Sequence, residues 1–320
     1  MQERKKQKYM DKPKVIVICG PTASGKTALS IELAKKIDGE IISCDSMQIY
    51  KDMDIGTAKP SQEEMQGIKH YLIDFVSPDT RYSVADFKKD AKLAIKKIIK
   101  NGKTPIIVGG TGLYIDSLIY EIDYQEIQFD ETYRKNLEER VKKEGLEKLY
   151  NEAKKIDPEA IKKISQNDKK RILRILEIYH TTGKTKTEQE IESRKKEVEY
   201  DYKVFAIDWE RNILYDRINQ RVDNMIKQGL VEEVKEVLKK YKTFPTAMQG
   251  LGYKEVVEFL NGKITKEEMI EKIKQETRRY AKRQLTWFRK NKQTIWLNGA
   301  NEMQNNISII LEGINWKIKK

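Results

Sequence analysis

The residues Gly20-Pro21-Thr22-Ala23-Ser24-Gly25-Lys26-Thr27 match the phosphate-binding pattern G-x-x-x-x-G-K-S/T at every position. An apolar run at 15–19 precedes them and a helical pattern at 27–37 follows, which is the strand–loop–helix context in which this pattern binds phosphate. The glycines let backbone N–H groups turn inward, the helix N-terminus adds positive potential, and Lys26 adds a point charge. We therefore predict that residues 20–27 bind a diphosphate or triphosphate, with the Thr27 hydroxyl as a ligand for Mg²⁺.

Around this loop, short β-branched runs alternate with amphipathic stretches, a pattern typical of a parallel sheet flanked by helices. The pattern predicts strands at 15–19, 41–44, 70–73, 105–108, 204–207 and 294–297. It predicts helices at 27–37, 84–101, 113–120, 214–228, 230–241 and 265–291. The expected fold class is α/β, a P-loop NTPase-like parallel sheet flanked by helices, with C-terminal helices.

The segment between the fourth and fifth strands is unusually long and indicates helices throughout. Helical spacing is clearest at 131–143 and 168–182, and Gly183 is a suitable C-cap for the second of these. We predict a helical insertion domain at 124–201, inside a core made of residues 13–123 and 202–300.

Charge and composition limit the function classes. The 320 residues include 63 Lys and Arg against 50 Asp and Glu, a formal net charge of +13. This surplus favours a polyanionic partner such as nucleic acid or an anionic membrane, although a generally Lys-rich composition would also produce it. Two cysteines in apolar runs and two histidines argue for core thiols and against a zinc centre. The apolar run at 15–19 is too short for a signal peptide or a membrane span, so we expect a cytoplasmic protein. We also expect a monomer.

Polar segments follow several of the predicted strands, at the sheet edge where α/β proteins bind ligands. Asp45 follows the second strand and is expected beside the phosphate loop, although an Asp before Ser46 would also cap a turn. The fourth strand ends in a glycine-rich turn with Thr111 instead of an Asp of the Walker-B kind. The third strand ends in Asp74, so a metal ligand of the kinase kind stays open.

The segments GPTASGKT, DSMQIY, DIGTAKP, HYLID and GGTGLY, in this order, resemble the tRNA dimethylallyltransferase (tRNA isopentenyltransferase) family. The match continues with NDKKRILRILEIY, RVDNMIKQGLVEEV, QGLGYKE and RRYAKRQLTWFR, and it spans roughly residues 14–297. The zinc finger of eukaryotic members is absent, so the chain resembles bacterial members. The resemblance implies transfer of a dimethylallyl group from dimethylallyl diphosphate to N6 of the adenosine 3′ to the anticodon of tRNA.

The resemblance also implies roles for single residues. The adenine amine is a poor nucleophile, and Asp45 resembles the general base that accepts its proton. Lys26, Thr27 and Mg²⁺ would stabilise the charge on the departing pyrophosphate. Arg217 and Arg221 lie four residues apart on a predicted helix and so share one face. The resemblance implies that they close over the pyrophosphate. The alternative is that each forms a surface ion pair with a neighbouring aspartate. The sequence does not distinguish which arginine contacts the pyrophosphate.

Basic and aromatic residues are interleaved at 277–301, which contains no acidic residue. They can hold RNA phosphates and stack on unpaired bases, although a solvated basic helix face would look the same. A second basic stripe lies in the insertion, so an anticodon loop held from two sides could have its adenosine flipped into the cleft. The expected tRNA contacts are Asp45, Ser46, Met47, Gln48, Thr111, Arg134, Lys170, Arg171, Arg174, Gln249, Gly252, Tyr253, Lys254, Lys282, Arg283, Gln284, Trp287 and Arg289.

Two other functions fit the phosphate loop: a nucleotide or small-molecule kinase, and a non-catalytic RNA-binding ATPase. The combination of the loop with Asp45 and long basic stretches, without an Asp after the fourth strand, favours the transferase.

Overall fold

The computed structural model describes residues 12–122, 130–193 and 197–315. Within them, the strands form one parallel sheet and are β1 (Lys14–Cys19), β2 (Gly39–Ser43), β3 (His70–Tyr71), β4 (Thr104–Gly109), β5 (Asp201–Asp208) and β6 (Ile295–Asn298). Across the sheet they lie in the order β3-β2-β4-β1-β5-β6, so the phosphate loop after β1 emerges from the interior of the sheet. The predicted α/β class with a parallel sheet is confirmed.

Strand β1 is buried on both faces, which explains its unbroken apolar sequence. The residues from Val15 to Cys19 have 0% exposed surface. Parallel pairing with β4 on one side and β5 on the other satisfies the backbone groups that burial removes from water. Cys19 and Cys44 are both buried and form no disulfide, as their apolar surroundings predict.

The helices of the first part of the chain alternate with the strands, and they are α1 (Lys26–Ile37), α2 (Gln62–Met65), α3 (Val84–Lys100) and α4 (Gly112–Ile119). Helix α3 begins at the predicted residue, Val84, and a capping box fixes this start. The Ser83 side chain accepts from the Asp86 backbone N–H, and the Asp86 side chain accepts from the Ser83 backbone N–H. Strand β3 is shorter than the predicted 70–73, since Leu72 has a φ of 58° and turns the chain away from the sheet.

The described residues divide into two compact units: residues before 116 together with those after 198, and residues 116–198. The second unit contains α5 (Glu131–Glu144), α6 (Leu146–Ile156), α7 (Pro158–Ile161), α8 (Lys169–Thr182) and α9 (Lys186–Ser193). Its own core includes Leu137, Leu149 and Ile172, all with 0% exposed surface. Helix α8 ends at Gly183, whose φ of 66° confirms the predicted C-cap.

The C-terminal part of the first unit adds α10 (Arg211–Gln228), α11 (Leu230–Lys240), α12 (Tyr253–Leu260), α13 (Lys266–Phe288) and α14 (Met303–Gly313). Helices α12 and α14 were not predicted. Helix α14 packs Ile307 and Ile310 into the apolar cluster that covers the sheet. Helices α10 to α13 form a second apolar cluster with residues 49–53, which follow β2, and this cluster borders the candidate site.

Candidate active site

The phosphate loop joins β1 to α1 in a conformation that only a few residue types adopt easily. Gly20 and Gly25 have φ values of 144° and 90°, and Ala23 has 61°. A Cβ on Gly20 would lie 3.0 Å from the backbone oxygen of Ile207 on β5, so the loop also needs glycine for space. The loop is thus held against the sheet with its amides available at the start of α1.

Lys26 folds back over this loop. Its Nζ donates to the Pro21 carbonyl at 2.6 Å and approaches the Ser24 hydroxyl at 3.4 Å. Burial, together with the positive charge of Arg221, lowers the pKa of Lys26 to about 8, although the Asp45 carboxylate opposes the shift. A buried excess of positive charge of this kind is relieved when an anion binds, which suits a diphosphate site.

The two arginines of α10 occupy different places. Arg221 lines the cavity beside the loop, and burial lowers its pKa while Asp45 opposes that shift. Arg217 donates from Nε to the Ala23 carbonyl at 2.8 Å, and its guanidinium lies 4.4 Å from the ring of Trp209. Arg217 therefore supports the phosphate loop, whereas Arg221 faces the space where a ligand would lie. Among the residues that the structure describes, neither arginine forms an ion pair with a neighbouring aspartate.

Asp45 follows β2 and lies in the same cavity as Lys26 and Arg221. Its Oδ1 accepts from the backbone N–H groups of Met47 at 2.8 Å and Gln48 at 3.3 Å. Within the described residues, Oδ2 accepts no hydrogen bond. One oxygen therefore caps the turn and the other is available to a ligand, so the two roles that the sequence left open are compatible.

The glycine-rich turn after β4 forms another part of the cavity wall. A Cβ on Gly109 would lie 2.0 Å from the Cys44 carbonyl oxygen, so this close approach of two backbones requires glycine. The Thr111 Oγ1 accepts from the Ser46 N–H at 3.1 Å, which fixes the Asp45 turn against this wall. Thr111 thus has a structural partner where we had predicted an RNA contact.

Gln284 of α13 joins the two loops. Its Oε1 accepts from the Thr22 N–H at 2.9 Å, and its Nε2 donates to the Gly110 carbonyl at 2.9 Å. The side chain is only 6% exposed. Gln284 therefore lines the cavity as a support for the phosphate loop, and both polar ends of its amide are engaged inside the protein.

A cavity of about 450 Å³ unites these groups. The phosphate loop, Asp45 and Arg221 supply its charged surface. Its apolar surface comes from the second apolar cluster and neighbouring segments, and includes Met47, Val222, Met225, Leu251 and Ile273. Tyr280, Thr57 and Thr277 also line it and were not among the predicted site residues. Tyr280 carried a signal, as an aromatic residue inside the basic stretch.

Several predicted RNA contacts of the first unit are placed inside the protein. Tyr253 has 0% exposed surface and forms part of the cavity wall. Phe288, one of the aromatic residues interleaved at 277–301, is 4% exposed, so it cannot stack on a base. Trp287 packs against the glycine turn, since a Cβ on Gly112 would lie 2.3 Å from its ring. The side chain of Gln48 donates to the Thr57 and Ala58 carbonyls at 3.2 and 3.0 Å and so holds the wall.

Other predicted RNA contacts of the first unit are exposed or border the cavity. Lys282 and Arg283 are exposed on α13, and Arg283 also borders the cavity together with Gln249, Gly252 and Lys254. Arg289 is exposed but pairs with Asp208 at 3.2 Å.

In the helical unit, Arg134 has a structural environment. It pairs with Glu138 at 3.0 Å and with Glu177 at 2.9 Å, and its side chain is 21% exposed. Two carboxylates therefore compensate its charge inside the unit, and its RNA contact stays a prediction. Arg171 is exposed on α8, and Arg174, half-buried, approaches Glu177 at 3.5 Å. Lys170 is exposed on the same helix.

The metal ligand of the kinase kind is not supported. Asp74 pairs with Lys59 at 2.7 Å and follows β3, which lies at the edge of the sheet, separated from β1 by β2 and β4. Across residues 12–122, 130–193 and 197–315, no three His, Cys, Asp or Glu side chains gather as a metal site. In the same ranges, no helix is both long and apolar enough to cross a membrane.

Comparison with known proteins agrees with this geometry. Residues 48–291 match the family model described as IPP transferase. The chain is 52% identical over 285 residues to the tRNA dimethylallyltransferase of Acetivibrio thermocellus, covering 89% of this chain and 91% of that protein. It is 50% identical over 305 residues to that of Carboxydothermus hydrogenoformans, covering 94% and 98%.

Solved structures give the same relationship. The tRNA delta(2)-isopentenylpyrophosphate transferase of Staphylococcus epidermidis is 44% identical, with a TM-score of 0.70 over 96% of this chain and 100% of that one. A eukaryotic dimethylallyltransferase acting on tRNA is 33% identical, with a TM-score of 0.81 over 96% of this chain and 81% of that one. The chain therefore belongs to the IPP transferase family, the family of the tRNA dimethylallyltransferases.

Proposed function

We propose that this protein transfers a dimethylallyl group from dimethylallyl diphosphate to N6 of the adenosine 3′-adjacent to the anticodon of tRNA, and releases pyrophosphate. One observation carries the proposal: a single cavity of about 450 Å³ joins the phosphate loop and Asp45 to an apolar surface. A donor with a charged diphosphate and a short apolar tail needs both surfaces. The names of the relatives describe the same class of prenyltransferase enzyme.

The diphosphate would bind over the phosphate loop. Backbone N–H groups at a helix N-terminus favour an anion, and Lys26 and Arg221 bring two basic side chains to the same cavity. As the allylic carbon–oxygen bond breaks, negative charge grows on the leaving oxygen. Donors that are already oriented stabilise this charge more in the transition state than in the bound donor.

The residues present fit a Mg²⁺ ion shared with the donor. Mg²⁺ keeps several waters and binds substrate phosphates with few protein ligands, so a site without a carboxylate cluster suits it. The exposed Thr27 hydroxyl at the start of α1 would hold it, beside the proposed diphosphate position. When bound, the ion neutralises part of the diphosphate charge.

Asp45 would accept the proton from the adenine amine as the carbon–nitrogen bond forms. Its Oδ1 is engaged with the Met47 and Gln48 amides, which fix the carboxylate, and Oδ2, which accepts no hydrogen bond from the described residues, would take the proton. The apolar residues Val222, Met225 and Ile273 are 2%, 9% and 2% exposed. They would surround the dimethylallyl group and keep water away from the carbon on which positive charge develops.

The tRNA would approach across the basic surface of α13 and the start of α12. Lys282, Arg283 and Lys254 are exposed there, and the last two border the cavity. We include the helical insertion, residues 124–201, as a second contact through Lys170, Arg171 and Arg174. The protein would act as a monomer in the cytoplasm on an adenosine flipped out of the anticodon loop.

The experiment that tests the function is mass spectrometry of tRNA after incubation with the protein, Mg²⁺ and either dimethylallyl diphosphate or ATP. We expect the anticodon-loop fragment to gain the mass of one isopentenyl group with the first donor only. Phosphate transfer or hydrolysis with ATP, and no gain with dimethylallyl diphosphate, would favour the kinase alternative instead.

A further inference from the structure

Two chain segments that are far apart in sequence form one wall of the cavity. Gly56, Thr57 and Ala58 come from the loop after β2, and residues 250–254 come from the segment that leads into α12. We call residues 56–58 and 250–254 the far wall. Most of the far wall consists of backbone and small side chains, so its shape depends on whatever holds the two segments together.

A single carboxylate, Glu233 on α11, holds them. Its Oε2 accepts from the backbone N–H groups of Asp54 at 2.8 Å and Ile55 at 2.6 Å. Its Oε1 accepts from the Gly56 N–H at 3.0 Å and from the Tyr253 hydroxyl at 2.6 Å. Hydrogen bonds to an ionised acceptor are about twice as strong as neutral ones, so four on one half-buried carboxylate make a rigid anchor. Glu233 itself is not among the residues that line the cavity.

Tyr253 makes the far wall tight as well as anchored. A Cβ on Gly56 would lie 2.5 Å from a carbon of the Tyr253 ring, so the backbone at Gly56 rests directly on that ring. Because the Tyr253 hydroxyl donates to Glu233, the ring and the loop share one point of attachment. A shift of the Glu233 carboxylate would therefore move both segments.

The far wall is linked in turn to Asp45. The Gln48 Nε2 donates to the Thr57 and Ala58 carbonyls at 3.2 and 3.0 Å. The backbone N–H of the same Gln48 donates to the Asp45 Oδ1 at 3.3 Å. A continuous path of hydrogen bonds therefore runs from Glu233 through the loop and Gln48 to the carboxylate that faces the ligand space.

We propose that Glu233 is a positioning residue for the transfer reaction, which orients Asp45 through the far wall and Gln48. This inference rests on the proposed function, since it assigns Glu233 a role in the same reaction. Glu233 touches neither donor nor adenine, so its effect falls on the rate of the chemical step and not on the binding of either substrate. A misplacement of about 1 Å can slow an enzymatic step by roughly 10²-fold.

The loop does not depend on Glu233 alone for its attachment, so variants are expected to fold. Lys59, whose side chain is 7% exposed, pairs with Asp54 at 2.5 Å and with Asp74 at 2.7 Å. It also donates to the Tyr50 carbonyl at 2.8 Å. Removal of the Glu233 carboxylate therefore loosens the far wall while the loop stays tied at its other end.

The test compares Glu233→Gln and Glu233→Ala with Glu236→Gln, a control on the same helix whose side chain is 70% exposed and pairs with Lys239. Single-turnover transfer to tRNA, the KM of dimethylallyl diphosphate and the tRNA dissociation constant are measured for each. We expect the rate of Glu233→Ala to fall by about 10²-fold and that of Glu233→Gln by less, with both binding constants within about threefold of wild type. Glu236→Gln should match wild type.

A double-mutant cycle separates positioning from general destabilisation. If Glu233 acts through Asp45, Glu233→Ala should slow the Asp45→Asn protein far less than it slows wild type, because the oriented base is already gone. The proposal would be overturned if the rate reductions of Glu233→Ala and Asp45→Asn simply multiplied in the double variant. A normal transfer rate in both Glu233→Gln and Glu233→Ala would also overturn it. Wild-type transfer in the same assay keeps this outcome distinct from a failure of the proposed function, which would show as no transfer at all.

Discussion

Asp45→Asn is the substitution that most directly tests the chemistry. In the structure Oδ1 caps the turn by accepting from the Met47 and Gln48 amides, and Oδ2 accepts no hydrogen bond from the described residues. Asparagine keeps the shape and can present its own Oδ1 to the same two amides. It replaces Oδ2 with an amide group that is a very poor proton acceptor. The substitution therefore separates the two roles of this side chain.

The expected magnitudes differ enough to decide between the roles. Asn and Asp are nearly equivalent as caps, so the free energy of unfolding should change by well under about 1 kcal/mol. A positioned general base contributes roughly 10² to 10⁴ in rate, which corresponds to about 3–5 kcal/mol of activation free energy. We expect single-turnover transfer to fall by that factor while the affinities for tRNA and dimethylallyl diphosphate stay near wild type.

The assay is rapid-mix transfer with enzyme in excess over tRNA, together with denaturant unfolding of the same protein. Asp86→Asn is a matched control, because Asp86 also accepts from a backbone amide, that of Ser83 at 2.8 Å, and does not line the cavity. A near-normal rate for a well-folded Asp45→Asn protein would remove Asp45 as the base. The proton would then pass to water or to the departing pyrophosphate.

Other properties of the site are open to the same kind of test. The pKa of Lys26 is lowered to about 8, chiefly by burial, and only the charged form of the side chain attracts diphosphate. The dissociation constant of the donor should therefore rise above pH 8, by up to about tenfold per pH unit. Direct binding titrations measure this rise, which the Lys26→Ala protein should not show. Replacing Lys282 and Arg283 with Gln should lower the slope of log tRNA affinity against log salt by about one per lost phosphate contact, and an unchanged slope would place the RNA elsewhere. Arg221→Gln should raise the donor KM roughly 10- to 100-fold, because Arg221 lines the cavity. Arg217→Gln should mainly lower the free energy of unfolding, by about 1–2 kcal/mol, because Arg217 bonds to the phosphate loop. Equal effects of the two substitutions on the donor KM would contradict the different positions of the two arginines.

The predicted RNA contacts that the structure buries share one physical cause. The pattern of the basic stretch and of the QGLGYKE segment does not show which helix face is buried. Packing turns Gln284 and Phe288 inward and leaves Lys282 and Arg283 outside, although all four lie within seven residues of one another. The sequence pattern of an amphipathic helix shows that two faces exist, but a functional polar residue on the inner face, such as Gln284, looks like a surface residue until its partners are known.

The phosphate loop and the place of Asp45 follow from the sequence by itself. Eight consecutive residues specify the loop, and the carboxyl ends of parallel strands meet at one edge of the sheet, so the residue after β2 must lie near it. The parallel sheet and most of its helices follow likewise from local periodicity.

Tertiary structure alone decided which residues support that site. Arg217 and Arg221 share a helix face by their spacing, yet the path of α10 beside the loop puts one behind the phosphate loop and the other in the cavity. Gln284 reaches Thr22 across 262 positions, and Glu233 reaches Ile55 across 178. The sequence pattern does not reveal these hydrogen bonds, because their partners depend on how α11 and α13 pack against loops that are distant in the sequence.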